Sequence, residues 1–225
     1  MKDIYIALSG ATAAWDNLST IANNVANAKT QGFREARSSF ELAGPPGMGA
    51  QYAATGRTTW SNDDGELETD GNPHHLALRG EGFFALEDGT FTRDGTFRTN
   101  DEGTLCAADG TPVLGESGPI TLQAGESMIV GADGTVTGSK SGELGKIAIV
   151  SLGGGQPIGG NRWSGLAGDP PEHTSVVQGA VEGSNVDTMR GMIDMMEATR
   201  FFEAQQKAIQ ASDDMRSRLN QIGGG

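Results

Sequence analysis

The chain has 225 residues, 16 of them Lys or Arg and 29 Asp or Glu, for a formal charge of −13. That length carries one or two domains, and the acidic balance argues against nucleic-acid binding and against docking on an anionic membrane. No apolar run reaches the roughly 20 residues of a bilayer span, and 35 Gly, about twice ordinary usage, favour tight turns and a modest core over a deep catalytic cavity.

Residues 1 to about 30 read as a helix. Ile4, Leu8, Ala11, Trp15, Leu18, Ala22 and Val25 recur at alternating spacings of 4 and 3, the a/d seam of a heptad repeat. Ala11 and Ala22 keep that seam narrow, so a partner helix is expected to approach closely. Asn23, Asn24 and Asn27 follow. Asn is a poor helix former whose amide both donates and accepts, so this end either frays or meets a polar surface.

The middle of the chain changes character. An acidic residue followed by Gly-Thr occurs at Asp88, Asp94, Glu102, Asp109 and Asp133. Asp-Gly between short β-prone runs signals hairpins. The runs are Leu76–Leu78, Gly82–Leu86, Thr90–Thr92, Thr96–Arg98, Met128–Val130 and Lys146–Val150. Together they predict a compact antiparallel β domain.

From about residue 178 to 222 a second helical segment is expected. Gly179, Gly183 and Ser184-Asn185 suit a turn and a cap. Phe201, Ala204, Ala208, Ala211, Met215 and Ile222 follow heptad spacing, and Phe202 and Ile209 widen the stripe. The fold class is therefore α+β: discontinuous N- and C-terminal heptad helices pairing as a coiled coil, with a central, mostly antiparallel β domain. The expected division is 1–33 helix, 34–65 extended connection, 66–177 β domain and 178–225 helix. Two helices alone leave apolar surface uncovered, so association with copies or relatives is expected.

Chemical motifs are sparse. Gly153–Gly155 and Gly159-Gly160 are not followed by Gly-Lys-Ser/Thr, so no P-loop is formed. His74 and His75 are adjacent and would point to opposite faces of a strand, and His173 is far away in sequence. Cys106 is alone, so neither an internal disulfide nor a Cys-based zinc site is expected. The acidic turns lack the oxygen spacing of calcium loops. Ser9, Ser19 and Ser38 have no nearby base, and Asp63-Asp64 and Asp213-Asp214 read as solvated pairs. No enzyme activity and no cofactor or metal is expected. Lys2-Asp3 leads into an amphipathic stretch, so a cleaved secretion signal is not expected either.

Several motifs resemble one family. Ile21-Ala22-Asn23-Asn24-Val25-Ala26-Asn27-Ala28-Lys29-Thr30-Gln31-Gly32-Phe33-Arg34 is similar to the N-terminal signature of bacterial flagellar basal-body rod and hook proteins. Val181-Glu182-Gly183-Ser184-Asn185-Val186 resembles that family's second landmark, and Arg200–Glu203 with Lys207 its C-terminal helix. Leu78–Phe84 and Thr92-Arg93-Asp94-Gly95 resemble its central strand and turn. Within the family, the chain is too short for a hook protein and too long for the short rod proteins. Gly183 before Ser-Asn, and Gly115–Ile120, favour the proximal rod type over the distal type. The connection after Phe40 is compressed.

The resemblance implies an axial structural subunit that transmits torque. Its terminal helices would pack with neighbours into the inner tube of a periplasmic rod, with the β domain outside. Its partners would be other rod subunits, copies of itself and the flagellar type III export apparatus. The residues implicated in subunit contacts are Leu18, Ala22, Asn23, Asn24, Val25, Asn27, Thr30, Gly32 and Phe33 near the first helix. Near the second they are Glu182, Gly183, Ser184, Asn185, Val186, Phe201, Phe202 and Ile209. The Asn amides would bond across subunits, Gly32 would reverse the chain, Phe33 would anchor it, and Glu182, Ser184 and Asn185 would cap and orient the second helix. A secreted β-rich binding protein with a helical oligomerisation stalk is the rival reading. Terminal helices without tertiary burial are marginal in water, so they are expected to be disordered or loosely docked in the monomer and to order on assembly.

Overall fold

The computed structural model describes residues 2–43, 52–159 and 161–223. The chain forms two compact units. One comprises residues 1–28, 35–61 and 186–225, and the other 29–34 and 62–185.

The first unit holds helix α1 (Lys2–Ala26), a hairpin of β1 (Ala36–Ala43) and β2 (Tyr52–Trp60), and helix α2 (Thr188–Gly223). The second helix begins at Thr188, just after the turn and cap signals at Gly183-Ser184-Asn185 and ten residues after the expected start of the segment at 178. Gln178 and Val181 lie instead in strands Ser175–Gln178 and Ala180–Glu182, where β-branched residues such as Val181 pack well. The cap of α2 is Asp187, whose carboxylate accepts the Arg190 N–H at 3.1 Å, and not Ser184 or Asn185. The connection after residue 34 is largely the β1–β2 hairpin, in which Ala36 pairs with Trp60 and Phe40 with Thr55.

The two helices pack antiparallel. Gly10 lies against Gln205, the Trp15 and Phe202 rings stand 5.6 Å apart, and a Cβ on Gly191 would come within 2.7 Å of Val25. Burial splits the expected seam of α1 in two. Ala11, Leu18 and Val25 are covered or half-covered, while Leu8, Trp15 and Ala22 stay exposed. On α2 the covered row is Ala198, Phe202, Gln205, Ile209 and Ser212. The expected row of Phe201, Ala204, Ala208, Ala211 and Met215 is exposed. Both rows satisfy a 3–4 repeat, and one residue turns the helix by about 100°. Periodicity therefore finds the spacing without choosing between adjacent rows. The stacking of Phe202 on Trp15 makes the choice.

The second unit is β throughout its described length. β3 (Leu67–Thr69) pairs with Ala180–Glu182, and β4 (Leu76–Arg79) with Ser175–Gln178. β5 (Phe83–Ala85) and β6 (Phe91–Thr92) belong to a five-stranded antiparallel sheet completed by Ile149–Val150, Leu152–Gly159 and Arg162–Ala167. A three-stranded meander runs through Met128–Val130, Thr135–Gly138 and Gly142–Lys146. The run Lys146–Val150 is thus divided between two sheets, with Ile147 bridging to Gly115 and Ile149 pairing with Phe84. The core gathers Leu76, Leu78, Phe84, Leu86, Phe97, Leu105, Val113, Val136, Ile147 and Val176. Phe84 meets Phe97 edge-on at 5.0 Å, a favoured aromatic geometry.

The repeated acidic turns share one device. The Asp94 carboxylate accepts the backbone N–H of Thr96 at 3.0 Å and its hydroxyl at 2.7 Å, and Asp88 and Asp133 grip Thr90 and Thr135 the same way. At Glu102-Gly-Thr the neighbouring Asn100 takes the role, accepting from Thr104 N–H at 2.8 Å. Gly95 departs from its siblings. Its φ is not positive; it is needed because a Cβ there would lie 1.5 Å from the Leu76 carbonyl.

Candidate functional site

The residues singled out from the sequence fall into two places, one in each unit. In the helical unit, Trp15, Leu18, Ser19, Ala22, Met195, Met196, Thr199 and Arg200 line a cleft of about 650 Å³ between α1 and α2. Trp15 is 56% exposed despite its contact with Phe202. Leu8, Met189, Met192, Ile193, Met196 and Phe201 are exposed as well, so this unit presents apolar side chains on both helices. Contiguous patches of that kind mark interaction surfaces. Ile209 is half-buried beyond the cleft.

The Asn cluster divides. Asn24 is buried, and its amide is used within the chain: Nδ2 donates to the Ala36 carbonyl at 2.7 Å and Oδ1 accepts the Ala36 N–H at 2.9 Å. Asn24 thus forms a two-point clamp on the start of β1. Asn27 donates back to the Asn23 carbonyl at 2.9 Å, closing the helix end, and the Asn23 side chain is exposed.

In the β unit the remaining motif residues converge on a buried charge cluster. Glu182 and Arg93 are each 1% exposed, and the Arg93 Nε–H donates to Glu182 Oε2 at 2.5 Å. The Arg93 Nη1 donates to the Gly82 carbonyl. Its Nη2 reaches the Gly80 carbonyl and Asp64 Oδ1, the latter at 3.0 Å. Arg34, also buried, places Nη2 3.1 Å from Glu182 Oε1 and 3.4 Å from Asp64, while its Nη1 donates to the Asp63 carbonyl. Two guanidiniums thus face two carboxylates. Burial pushes the Arg93 guanidinium below its usual value and the Glu182 carboxylate opposes that shift. An Arg stays protonated in either case.

The backbone is woven into the same cluster. Gly32 N–H donates to the Glu182 carbonyl at 2.8 Å, and Gly65 N–H to the Glu182 carboxylate at 2.9 Å. Gly32 has φ +68°, as a chain reversal requires, and a Cβ on it would also lie 2.5 Å from the Arg93 carbonyl carbon. Gly183 N–H donates to Glu66, Asn185 N–H to Phe33, and the Asn185 amide to Asp63. Thr30, Phe33, Gly183, Ser184, Asn185 and Val186 are all half-buried. Glu182 is therefore the centre of a buried ion cluster, not an orienter of the helix start. Arg34, Arg93 and Asp64 were not singled out from sequence as site residues. Two Arg in acidic surroundings read as surface charge, and no local pattern marks them as buried.

Other titratable groups form no comparable centre. His75 Nδ1 lies 2.5 Å from Asp70 in a loop, and burial lowers the neighbouring His74 below its usual value. Cys106 is buried. Among the described residues, no cluster of three or more His, Cys, Asp or Glu could hold a metal, and no helix is long and apolar enough to cross a membrane.

Three family models match the chain. Residues 4–34 match the flagella basal body rod protein, 77–138 the flagellar hook protein FlgE/F/G D1 domain, and 177–222 the flagellar basal body rod FlgEFG protein C-terminal region. The chain is 35% identical to flagellar basal-body rod protein FlgF of Mesorhizobium japonicum, with 90% of each chain covered. It is 29% identical to FlgF of Escherichia coli over 97% of each. It is 31% identical to flagellar basal-body rod protein FlgG of Borreliella burgdorferi over 99% of this chain and 98% of the relative. Arg34, Arg93 and Glu182 each fall in a different one of the three matched regions. With one residue from each matched region joined in a single buried cluster and its likeness running from end to end, the chain belongs to the flagellar basal-body rod protein family and is FlgF-like.

Proposed function

We propose that the chain is a structural axial subunit of the flagellar basal-body rod and polymerises through its terminal helices. The observation that carries this reading is the apolar surface left open on α1 and α2, centred on the cleft beside Trp15. Burying such surface is worth about 25 cal/mol per Å², which drives association once neighbours are available. Head-to-tail contacts that do not close on themselves extend a filament. The N- and C-terminal helices of each subunit pair with one another as a coiled coil and pack against those of other rod subunits and of further copies, and the rod carries torque from motor to hook. The subunit passes through the flagellar type III export apparatus and works in the periplasmic rod, on the proximal side.

Deletion of the gene in a swimming bacterium tests this. Loss of swimming, with basal bodies that stop within the rod, supports the reading. Unimpaired swimming and complete basal bodies overturn it.

A further inference from the structure

The buried cluster of the β unit carries an inference that does not rest on the rod reading. The chain passes between the two units after residues 28, 34, 61 and 185. Within the β unit, the segments next to these passages are 29–34, 62–66 and 182–185. They are tied to one another by Gly32 to Glu182, Gly65 to Glu182, Gly183 to Glu66 and Asn185 to both Phe33 and Asp63. None of them contributes a side chain to the apolar core. Asn161 reaches into them with an amide that donates to the Gln31 carbonyl at 2.6 Å, and Arg93 does so with its charge. It follows β6, and its guanidinium joins Glu182 and Asp64 to the carbonyls of Leu78, Gly80 and Gly82.

The core and these segments are therefore held by different physics. Apolar burial in the core is additive and tolerant. The ion cluster holds only while every buried charge keeps its partner, because one lost partner leaves another charge uncompensated. Regions poor in apolar contacts open as cooperative units below the global unfolding free energy. We propose that residues 29–34, 62–66 and 182–185, keyed by Arg93, form a latch that opens as one unit while the β core stays folded.

Native-state hydrogen exchange on the full chain at low urea tests the latch. The amides of Gly32, Gly65, Gly183 and Asn185 are expected to exchange through one common opening. That opening should be at least about tenfold more frequent than the one exposing Leu86, Val113 and Ile147, whose amides are bonded within the β core. In Glu182→Gln the four latch amides should quicken together by at least about a hundredfold, still ahead of the core amides, and trypsin should cut sooner after Arg34. Should Glu182→Gln not fold, Asp64→Asn, altering a carboxylate 36% exposed, makes the milder comparison. Exchange of latch and core amides at one shared rate overturns the proposal. So does uncorrelated exchange among the four amides, or latch amides that keep the parent's rates in Glu182→Gln.

Discussion

Arg93 and Glu182 are 89 positions apart and meet at 2.5 Å with both side chains almost fully enclosed. Their pairing joins the turn after β6 to the strand that precedes α2. Removing one member of such a pair leaves the other charge buried and costs about 3–5 kcal/mol. Arg93→Met is expected to destabilise the β unit by that amount, read as a lower urea midpoint. Arg93→Lys should recover only part of it, because a point charge cannot replace the planar fork that serves Glu182 and three carbonyls. Full recovery by Lys would show that charge alone matters at this position.

Asn24 and Asn23 stand side by side, yet their substitutions should differ. Asn24→Ala removes both bonds to Ala36 and strands a partly buried N–H and carbonyl, a loss of about 1–3 kcal/mol. Asn23→Ala alters an exposed side chain, and surface changes stay within about 0.5 kcal/mol. Thermal melts of the two variants make the comparison. Equal effects would contradict the clamp.

Acid should loosen the turns of the β unit. Glu126 accepts the N–H groups of Gln123, Ser141 and Lys140, which hold its carboxyl down at about 2. Asp133 is lowered in the same way by the hydroxyl and N–H of Thr135. A depressed folded value means that the stabilisation is complete above the ordinary carboxylate range and is lost as pH falls toward the folded value. The urea midpoint should therefore drop between about pH 4.5 and pH 2. Glu126→Gln should be less stable at neutral pH and show a shallower drop. An unchanged slope in that variant would place the acid sensitivity elsewhere.

Much of this was legible in the sequence, and the parts that were not share a cause. The α+β organisation followed from periods of 3–4 at the ends and from short strands between acidic turns. The cap of α2 was placed at Ser184-Asn185 because those residues carry cap chemistry, whereas they lie beside the buried cluster and Asp187 does the capping. The exposed row on α2 was mistaken for the covered one because Phe201, Ala204, Ala208, Ala211 and Met215 are all apolar, whereas the covered row includes the polar Gln205 and Ser212. Arg34 and Arg93 stood inside the recognised motifs without being read as site residues, because their burial depends on pairings across dozens of residues that no local spacing reveals; Asp64, read as one of a solvated pair, keeps 36% of its side chain exposed while it reaches them.

The isolated chain should hold its terminal helices less firmly than its β core. Leu8, Trp15, Met192 and Phe201 remain exposed, so much of the apolar surface that would stabilise α1 and α2 is not yet used. Hydrogen exchange on a dilute monomer should find weak protection over residues 5–25, rising on assembly. Strong protection there in the monomer would contradict coupled ordering.

The most direct test of the polymerisation surface is Phe201→Glu. Phe201 is 55% exposed, and Glu is a good helix former, so the purified variant should melt within a few degrees of the parent. In a strain lacking its own copy, the account predicts a stable, exported subunit that restores no swimming and leaves basal bodies stopped in the rod. Swimming equal to that given by the unaltered chain would contradict it.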